Sequence, residues 1–498
     1  MRTLFVNPPF TGFGGLEGHG GKAAPLNLGY LAAYLRKTDP DQVMGILDSE
    51  GADYDFDETE RRIAEFRPDV VAMTMPTPAY VHVLEVARRV KKLGQEIQVV
   101  VGGPHPSAFP QDCVAEDYID YAILGEGEVS FSALIHVLEH GGGMETIGGL
   151  AYRDATGTIR SNPRGPLVQD MDEIPFPARD LMPLDAYYPP STKSTGKGMP
   201  GNMITARGCP YQCTYCETAV VWTRKFRFRS PENVVDEIQE CVERYGIRQF
   251  NFHDDIFPMR KDRTIGICQE IQRRKLDITW VCMSRVNFVW DDVMTEMKKA
   301  GCRKIMFGLE SGDNEVLKIM KKEATIEQAR EAFKICRRVG ISTMGSFMLG
   351  NIGETEETIR ATIDFAKELN PDTVAFFVTV PYPGTEMFRE ASRLGYIRPD
   401  VTWADFAVVG KSRAPMELPG LPSNRVRELQ AQALKEFYLR PSYILRQALN
   451  IRSFFQIKNL FRGAQLLWRL AISKGDEQTH ILKAEIETRA RPKAEVSM

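Results

Sequence analysis

The sequence lacks the features of a membrane-spanning or exported protein. No apolar run approaches the roughly 20 residues that a transmembrane helix needs. The N-terminus is a short apolar run that ends at Asn7-Pro8-Pro9, without the longer hydrophobic region and cleavage site of a signal peptide. We therefore expect a cytoplasmic protein.

A strong charge of either sign is also missing. The formal net charge is −3 over 498 residues, which argues against a bulk polyanion as partner. The chain is too long for one hydrophobic core, so we expect roughly two to four domains. No low-complexity tract or internal repeat stands out beyond an alternation of strand-like and helix-like segments.

Cysteine is scarce, with nine residues in the chain, and a disulfide scaffold is not expected in a reducing compartment. Three of the nine fall within eight residues, and this spacing points to metal or redox chemistry. They are Cys209, Cys213 and Cys216. Five others lie in apolar helix or strand patterns and are interpreted as core residues, namely Cys241, Cys268, Cys282, Cys302 and Cys336.

The first 145 residues predict a Rossmann-like α/β domain. Short apolar runs, typical of strands buried on both faces, alternate with helical patterns. The predicted strands are 3–7, 43–48, 70–75, 97–102 and 121–124. This alternation favours a doubly wound parallel sheet, in which ligands bind beyond the carboxyl ends of the strands.

The rest of the chain divides into three further regions. Residues 146–200 are rich in Pro and Asp and predict a partly ordered linker. Over 201–410 the β–α alternation returns, and six units favour a partial barrel over a closed eight-fold one. The predicted strands are 201–206, 249–253, 279–283, 304–309, 342–349 and 373–380. Residues 411–498 predict a helical, basic region.

The cysteine triplet follows a predicted strand directly, and its spacing curls one loop around a single site. Three thiolates can bind three irons of a cubane and leave the fourth iron open. The alternatives are a zinc knuckle without its fourth ligand, or chance. The one further cysteine nearby, Cys241, lies in a helical pattern.

The motif CxxxCxxC after the first strand of a β–α series resembles the signature of the radical S-adenosylmethionine (SAM) superfamily. Tyr215, just before the last cysteine, fits this pattern. The resemblance implies a [4Fe–4S] cluster whose open iron binds the amino and carboxylate groups of SAM. It also implies reductive cleavage of SAM to a 5′-deoxyadenosyl radical, with flavodoxin or ferredoxin as the reductant.

Further strand-end motifs fit the same superfamily and imply a SAM site. Asp254 and Asp255 are expected to meet the SAM amino group, and Arg285 suits its carboxylate. The other residues that the resemblance implies for SAM are Glu310, Ser311 and Gly350. Taken singly, the aspartates could be a helix N-cap, Arg285 a surface ion pair and Glu310 a turn residue.

A Rossmann-like domain before such a core resembles the cobalamin-binding radical SAM subclass. The resemblance implies that glycine-rich strand ends let the corrin and its nucleotide tail approach the backbone. The implied cobalamin residues are Thr74, Thr77, Gly102, Gly103, His105, Gly125 and Glu126, with His105 expected as a turn residue near the corrin edge. The DxHxxG motif that supplies a lower ligand of cobalt is absent. His19 is a candidate for that ligand, although a mobile glycine-rich loop is the favoured interpretation of its segment. For the whole domain, the alternative is a degenerate fold that has lost its cofactor.

The C-terminal region carries seven Lys or Arg and no Asp or Glu between Arg440 and Lys474, interspersed with apolar residues. This pattern fits either a packed helical cap or a surface that meets an anionic substrate or a membrane interface. A lipid-like substrate would suit the second interpretation. Nucleic acid is not expected, because recognition motifs are missing.

The favoured hypothesis is a cobalamin-dependent methyltransferase that acts on an unactivated carbon or on phosphorus. The alternative uses the same cofactors without methyl transfer, as in the resembling anaerobic cyclases of chlorophyll synthesis or in ring rearrangements. A cobalamin-binding sensor is a third class, and the intact cysteine triplet argues against it.

Overall fold

The computed structural model describes residues 1–10, 21–190, 192–196, 198–407 and 414–449. Within these ranges the chain forms two parallel α/β layers joined by a two-stranded hairpin and followed by C-terminal helices. None of the helices in the described ranges combines the length and apolar character that crossing a bilayer requires.

The N-terminal sheet has seven strands in the order β2-β1-β3-β4-β5-β6-β7. Strands β1 to β5 are parallel and β6 and β7 are antiparallel. The strands are β1 (Arg2–Asn7), β2 (Val43–Asp48), β3 (Val70–Thr74), β4 (Gln98–Gly102), β5 (Tyr121–Ile123), β6 (Leu150–Arg153) and β7 (Ile159–Ser161). The helices are α1 (Leu26–Thr38), α2 (Phe56–Phe66), α3 (Tyr80–Leu93), α4 (Pro104–Ala108), α5 (Pro110–Ala115) and α6 (Glu128–His140).

Alternate residues of β1 pack into different cores on the two faces of this sheet. Leu4 and Val6 pack on one face, and Phe5 packs on the other. Because both faces are covered by helices, the strands are continuous apolar runs, as the sequence predicts. The doubly wound N-terminal sheet is therefore confirmed.

The region predicted as a linker differs from the structure in one respect. Residues of β6 and β7 extend the N-terminal sheet, with Tyr152 opposite Tyr121 and Leu150 opposite Ile123. The two strands are only four and three residues long, and β7 is largely polar, so no long apolar run marks them in the sequence. The remainder of 162–196 contains turns and 3₁₀ segments.

The second sheet has six parallel strands in the order β15-β14-β13-β12-β11-β8, which confirms the partial barrel. Its strands are β8 (Met199–Met203), β11 (Ile247–Phe252), β12 (Thr279–Ser284), β13 (Cys302–Glu310), β14 (Ser342–Leu349) and β15 (Thr373–Val378). The hairpin strands are β9 (Ala206–Arg207) and β10 (Arg227–Phe228). The helices are α7 (Thr218–Val221), α8 (Pro231–Tyr245), α9 (Lys261–Arg273), α10 (Asp291–Lys299), α11 (Asn314–Ile319), α12 (Ile326–Val339), α13 (Glu356–Leu369) and α14 (Glu386–Arg393).

Two C-terminal helices, α15 (Ser423–Tyr438) and α16 (Pro441–Leu449), follow the barrel. Helix α15 covers β15 at the edge of the sheet, where the Tyr438 hydroxyl donates to the carbonyl oxygen of Val374 at 2.7 Å. Such a cover protects an edge strand from pairing with another chain. The helical expectation holds for α15 and α16, and most of the basic stretch lies outside the described residues.

Residues that follow the barrel strands pack into one of the cores of the N-terminal domain. Trp403 and Phe406, which follow the barrel strands, pack with residues of β3 and α3 of the N-terminal domain. The carboxyl ends of both sheets therefore lie near a common interface.

Candidate active site

The cysteine loop is held between β9 and β10, so its two ends are fixed by the hairpin. Gly208 begins the loop with φ +83°, and a Cβ atom there would lie 2.2 Å from the carbonyl oxygen of Lys225. Glycine is therefore required at this turn. Cys213 is buried, while Cys209 and Cys216 are partly exposed, and all three are free thiols.

The three thiolates of the loop are soft ligands, the kind that iron–sulfur clusters and zinc both take. In a cubane each thiolate would bind its own iron, so the three cysteines would leave the fourth iron open to a ligand. The donor set of the loop therefore fits a [4Fe–4S] cluster.

Burial raises the pKa of Cys209 to about 11 and also raises the pKa of Cys216. Without a cation, these thiols stay protonated near neutral pH. Binding of iron would release their protons, as is general for thiolate ligands.

Arg285 lies directly beside the loop. Its Nη1 atom is 3.2 Å from Sγ of Cys213, and its guanidinium stacks on the ring of Tyr211 at 3.7 Å. Among the described residues, its Nε and Nη2 atoms are buried without a hydrogen-bond partner. The alternative of a surface ion pair is therefore wrong, since Arg285 is buried and has donors to spare.

The two aspartates after β11 have different environments. Asp254 is fully buried, and its carboxylate accepts hydrogen bonds from the backbone of Thr205 at 2.6 Å and Ala206 at 3.2 Å and from the Thr205 hydroxyl. Asp255 accepts from Thr218 at 2.8 Å, and its Oδ2 atom is buried without a partner among the described residues. Asp254 thus fixes the segment that leads into the cysteine loop, and Asp255 has an oxygen available for a ligand.

Tyr215 connects the cysteine loop to the end of β13. Its hydroxyl lies 3.1 Å from Oε1 of Glu310, and the same oxygen accepts from Lys322 at 2.7 Å. Glu310 has φ +65° at a register shift in β13, an uncommon conformation for a residue other than glycine. Ser311 is buried, and its hydroxyl is within 3.2 Å of Thr362 and of the Asp313 backbone nitrogen.

Gly350, at the end of β14, forms a tight turn with Asn351 and Glu354. Oε2 of Glu354 accepts from the backbone nitrogens of Gly350 and Asn351, both at 2.7 Å. Burial raises the pKa of Glu354 to about 7. This carboxyl therefore holds the turn that the sequence assigns to SAM.

In the N-terminal domain, Gly125 has φ +78° and borders a cavity of about 220 Å³, whose wall also includes Glu126. Around Gly102 a Cβ atom would meet its nearest neighbour at 3.7 Å, and Gly103 has φ +104°. Thr74 accepts a hydrogen bond from Asn27. The glycines at the ends of β4 and β5 thus leave the backbone open to a ligand, as the sequence analysis expects for cobalamin.

The expectation that His105 is a turn residue is wrong. Pro104 begins helix α4, and the His105 side chain is packed among the rings of Tyr80, Phe109 and Trp403. Its Nδ1 atom lies 3.2 Å from the Thr77 hydroxyl, and burial lowers its pKa to about 3. His105 and Thr77 therefore belong to the core at the domain interface. His19 lies outside the described residues.

Sequence reasoning missed a cluster of buried charges that joins the two domains, which we call the interdomain clamp. It consists of Glu126 in the loop after β5, Glu128 at the start of α6, and Arg207 and Arg227 of the hairpin. Arg227 Nη1 lies 3.0 Å from Glu126 Oε2, and Arg207 Nη2 lies 2.6 Å from Glu128 Oε1. Glu126, predicted to bind cobalamin, is thus paired with arginine. No local pattern marks these arginines as buried, because each lies in a two-residue strand.

The fold and the loop define an α/β enzyme with an iron–sulfur centre next to a Rossmann-like ligand domain. Residues 203–366 match the family model of the radical SAM superfamily, and residues 18–135 match that of the B12 binding domain. The chain is 34% identical to an uncharacterized methyltransferase of Pyrococcus horikoshii over 93% of this chain and 98% of that protein. It is 30% identical to the anaerobic magnesium-protoporphyrin IX monomethyl ester cyclase of Rubrivivax gelatinosus, over 78% of this chain and 70% of that protein.

A solved structure has the same fold. It is the radical SAM methyltransferase TsrM of Kitasatospora setae with cobalamin and a [4Fe–4S] cluster, with 22% identity and a TM-score of 0.64 over 86% of this chain and 81% of that chain. The chain belongs to the cobalamin-binding radical SAM family. Its cofactors are a [4Fe–4S] cluster, SAM and cobalamin.

Proposed function

We propose that this radical SAM enzyme transfers a methyl group to an unactivated carbon or to phosphorus of a small-molecule substrate. The methyltransferase of Pyrococcus horikoshii matches almost its whole length, whereas the cyclase matches over a smaller share of both chains. This difference in coverage favours methyl transfer over ring formation.

The assignment of the SAM site is supported by two buried polar groups beside the cysteine loop that have no hydrogen-bond partner among the described residues. Arg285 offers buried N–H donors next to Cys213, and Asp255 offers a buried carboxylate oxygen near Cys216 through Thr218. A cation and an anion at one site are complementary to the carboxylate and ammonium of an amino acid. We assign Arg285 to the SAM carboxylate and Asp255 to its amino group.

The three cysteines are assigned to the cluster, which when bound supplies one electron that breaks the C5′–S bond of SAM. This cleavage would give methionine and a 5′-deoxyadenosyl radical able to take a hydrogen atom from the substrate. Gly102, Gly103 and Gly125, at the ends of β4 and β5, would hold cobalamin, which would supply the methyl group. Tyr215, Glu310 and Gly350 position the loop and the nucleoside side of the site.

An anaerobic assay with methyl-labelled SAM, reductant and candidate small molecules tests this function. We expect one labelled methyl group in the product and one 5′-deoxyadenosine per turnover. Deoxyadenosine with an unlabelled, cyclised product would establish the alternative. Cys213→Ala should give neither product, and continued deoxyadenosine formation by this variant would contradict the cluster assignment.

The enzyme requires an electron source, and we propose flavodoxin or ferredoxin. We also propose that the C-terminal region contacts a membrane surface when the substrate is lipid-like. Large apolar side chains at the end of the described chain support this, since Leu445 is 61% exposed and Leu449 is 73% exposed. Co-sedimentation with anionic liposomes tests the contact, and Leu445→Gln with Leu449→Gln should reduce it.

A further inference from the structure

A small cavity lies on the open side of the barrel, between the linker and the two strands β8 and β11. Its volume is about 110 Å³, and its wall includes Tyr187, Lys193, Asn202, Asn251 and His253. Residues 21–24, which follow the first strand-end loop of the N-terminal domain, complete the wall. The cavity therefore touches both the barrel and the domain assigned to cobalamin.

The wall of this cavity carries positive charge and, among the described residues, no carboxylate. Two of its cations are already paired, Lys22 with Asp53 at 2.5 Å and Arg179 with Glu237 at 2.6 Å. Lys193 is different, because its ammonium has no hydrogen-bond or ion-pair partner within the described residues. Lys193 is half-buried, and desolvation by burial lowers the pKa of its ammonium.

The position of Lys193 is fixed by its neighbours. Lys304 donates to the carbonyl oxygen of Thr192 at 2.6 Å, and the hydroxyls of Thr195 and Thr279 lie 2.6 Å apart. The chain therefore contacts barrel strands both before and after Lys193, through Thr192 and Thr195. A cation whose backbone is held on both sides, in a cavity whose described wall has no carboxylate, suits the binding of an anion.

Two further polar groups face the same space. Nδ2 of Asn251 lies 2.9 Å from Nε2 of His253, and Oδ1 of Asn251 is buried without a partner among the described residues. Burial, with Lys193 nearby, lowers the pKa of His253 to about 4, so this ring is neutral. Asn251 can therefore accept from a hydroxyl of a bound molecule.

We propose that this cavity binds an oxyanion group of the substrate, with Lys193 as its counter-ion. The inference rests on the proposed function and narrows its substrate to a small molecule with a phosphate, phosphonate or carboxylate. His253, in the wall of the cavity, directly precedes Asp254 and Asp255, so the cavity and the assigned SAM site share one segment of chain. The cavity volume of about 110 Å³ is large enough for an anionic group.

Binding of inorganic phosphate, methylphosphonate and acetate to the cluster-loaded, cobalamin-loaded protein tests the site directly. Saturable binding, followed by NMR line broadening of each anion, is expected for at least one of them. Preference for phosphate or phosphonate over acetate, or the reverse, identifies the oxyanion. Lys193→Met should weaken this binding about 10- to 100-fold, and Lys193→Arg should retain most of it.

The matched control is Lys435→Met, which removes an exposed lysine from α15 and should leave anion binding unchanged. Equal anion binding by the wild type and Lys193→Met would overturn the site, as would absence of saturable binding to the wild type. The iron content and SAM affinity of Lys193→Met should match the wild type, which excludes misfolding. Methyl transfer by an enzyme that binds no anion would refute the cavity alone, whereas anion binding without methyl transfer would refute the proposed function alone.

Discussion

The Nη1 atom of Arg285 lies 3.2 Å from Sγ of Cys213, while two other nitrogens of the same guanidinium have no partner among the described residues. One end of the side chain is therefore anchored at the cysteine loop, and the rest is available to a ligand. Arginine suits this role because its planar fork can bind a carboxylate through two parallel hydrogen bonds.

Replacement of Arg285 by lysine should weaken SAM binding without loss of the cluster. Lysine keeps the charge but loses the paired donors, and we expect about a 10- to 100-fold rise in the dissociation constant for SAM. Calorimetric titration of SAM into reconstituted protein measures this change. Arg303→Lys, at an exposed position of β13, is the control. Unchanged SAM affinity in Arg285→Lys would contradict the assignment.

The two aspartates after β11 should respond differently to substitution. Asp254→Asn replaces a carboxylate that accepts three hydrogen bonds with an amide, whose NH2 group cannot accept from the same donors. We therefore expect a loss of about 1–3 kcal/mol in stability. Asp255→Asn should leave the unfolding temperature nearly unchanged and lower SAM affinity. Thermal unfolding and SAM titration of both variants separate the roles. Equal effects of the two substitutions on unfolding would refute the distinction.

The elements that sequence predicts best are those with a local signal. Most parallel strands of both sheets follow from short apolar runs, and the loop from Cys209 to Cys216 follows from its spacing. Asp255 and Arg285 lie at strand ends that the β–α pattern locates, and parallel topology brings such ends to one edge of the sheet. These features need no knowledge of distant partners.

The features that sequence does not predict depend on contacts across long stretches of chain. The packing of His105 depends on Trp403, and the burial of Arg227 depends on Glu126. The cavity beside the unpaired ammonium of Lys193 forms only when the strands around it have assembled. A lysine in a linker gives no local sign that it enters a cavity.

The interdomain clamp predicts a large penalty for removal of one partner. The side chains of Arg227 and Glu126 are both buried, and Arg227→Met leaves Glu126 with only the longer ion pair to Arg207 at 3.6 Å, so we expect a loss of up to about 3–5 kcal/mol. The double variant Arg227→Met with Glu126→Met should recover part of this loss, because neither charge then remains. Chemical denaturation of the four proteins of this cycle measures the coupling. If the loss of unfolding free energy in the double variant equals the sum of the losses in the two single variants, the two side chains do not interact directly.

Glu354 predicts a pH dependence of stability with a definite sign. Its pKa rises from 4.5 to about 7 because burial disfavours the charged carboxylate. The folded protein thus holds this proton more tightly than the unfolded chain, and stability falls as the pH rises from about 4.5 to about 7. The full penalty is of order 3 kcal/mol above that range. Glu354→Gln keeps an acceptor for the Gly350 and Asn351 backbone and has no carboxyl to ionise.

The difference in unfolding temperature between Glu354→Gln and wild type, measured from pH 5 to pH 8, isolates this effect. The buried histidines His82, His105 and His253, whose lowered pKa values give the opposite pH dependence, titrate in both proteins and cancel. We expect the variant to gain stability relative to wild type as the pH rises to about 7, and then to keep a constant advantage. Glu331→Gln, at an exposed position, should show no such trend. A difference that is flat with pH would mean that Glu354 ionises as readily in the folded protein as in the unfolded chain.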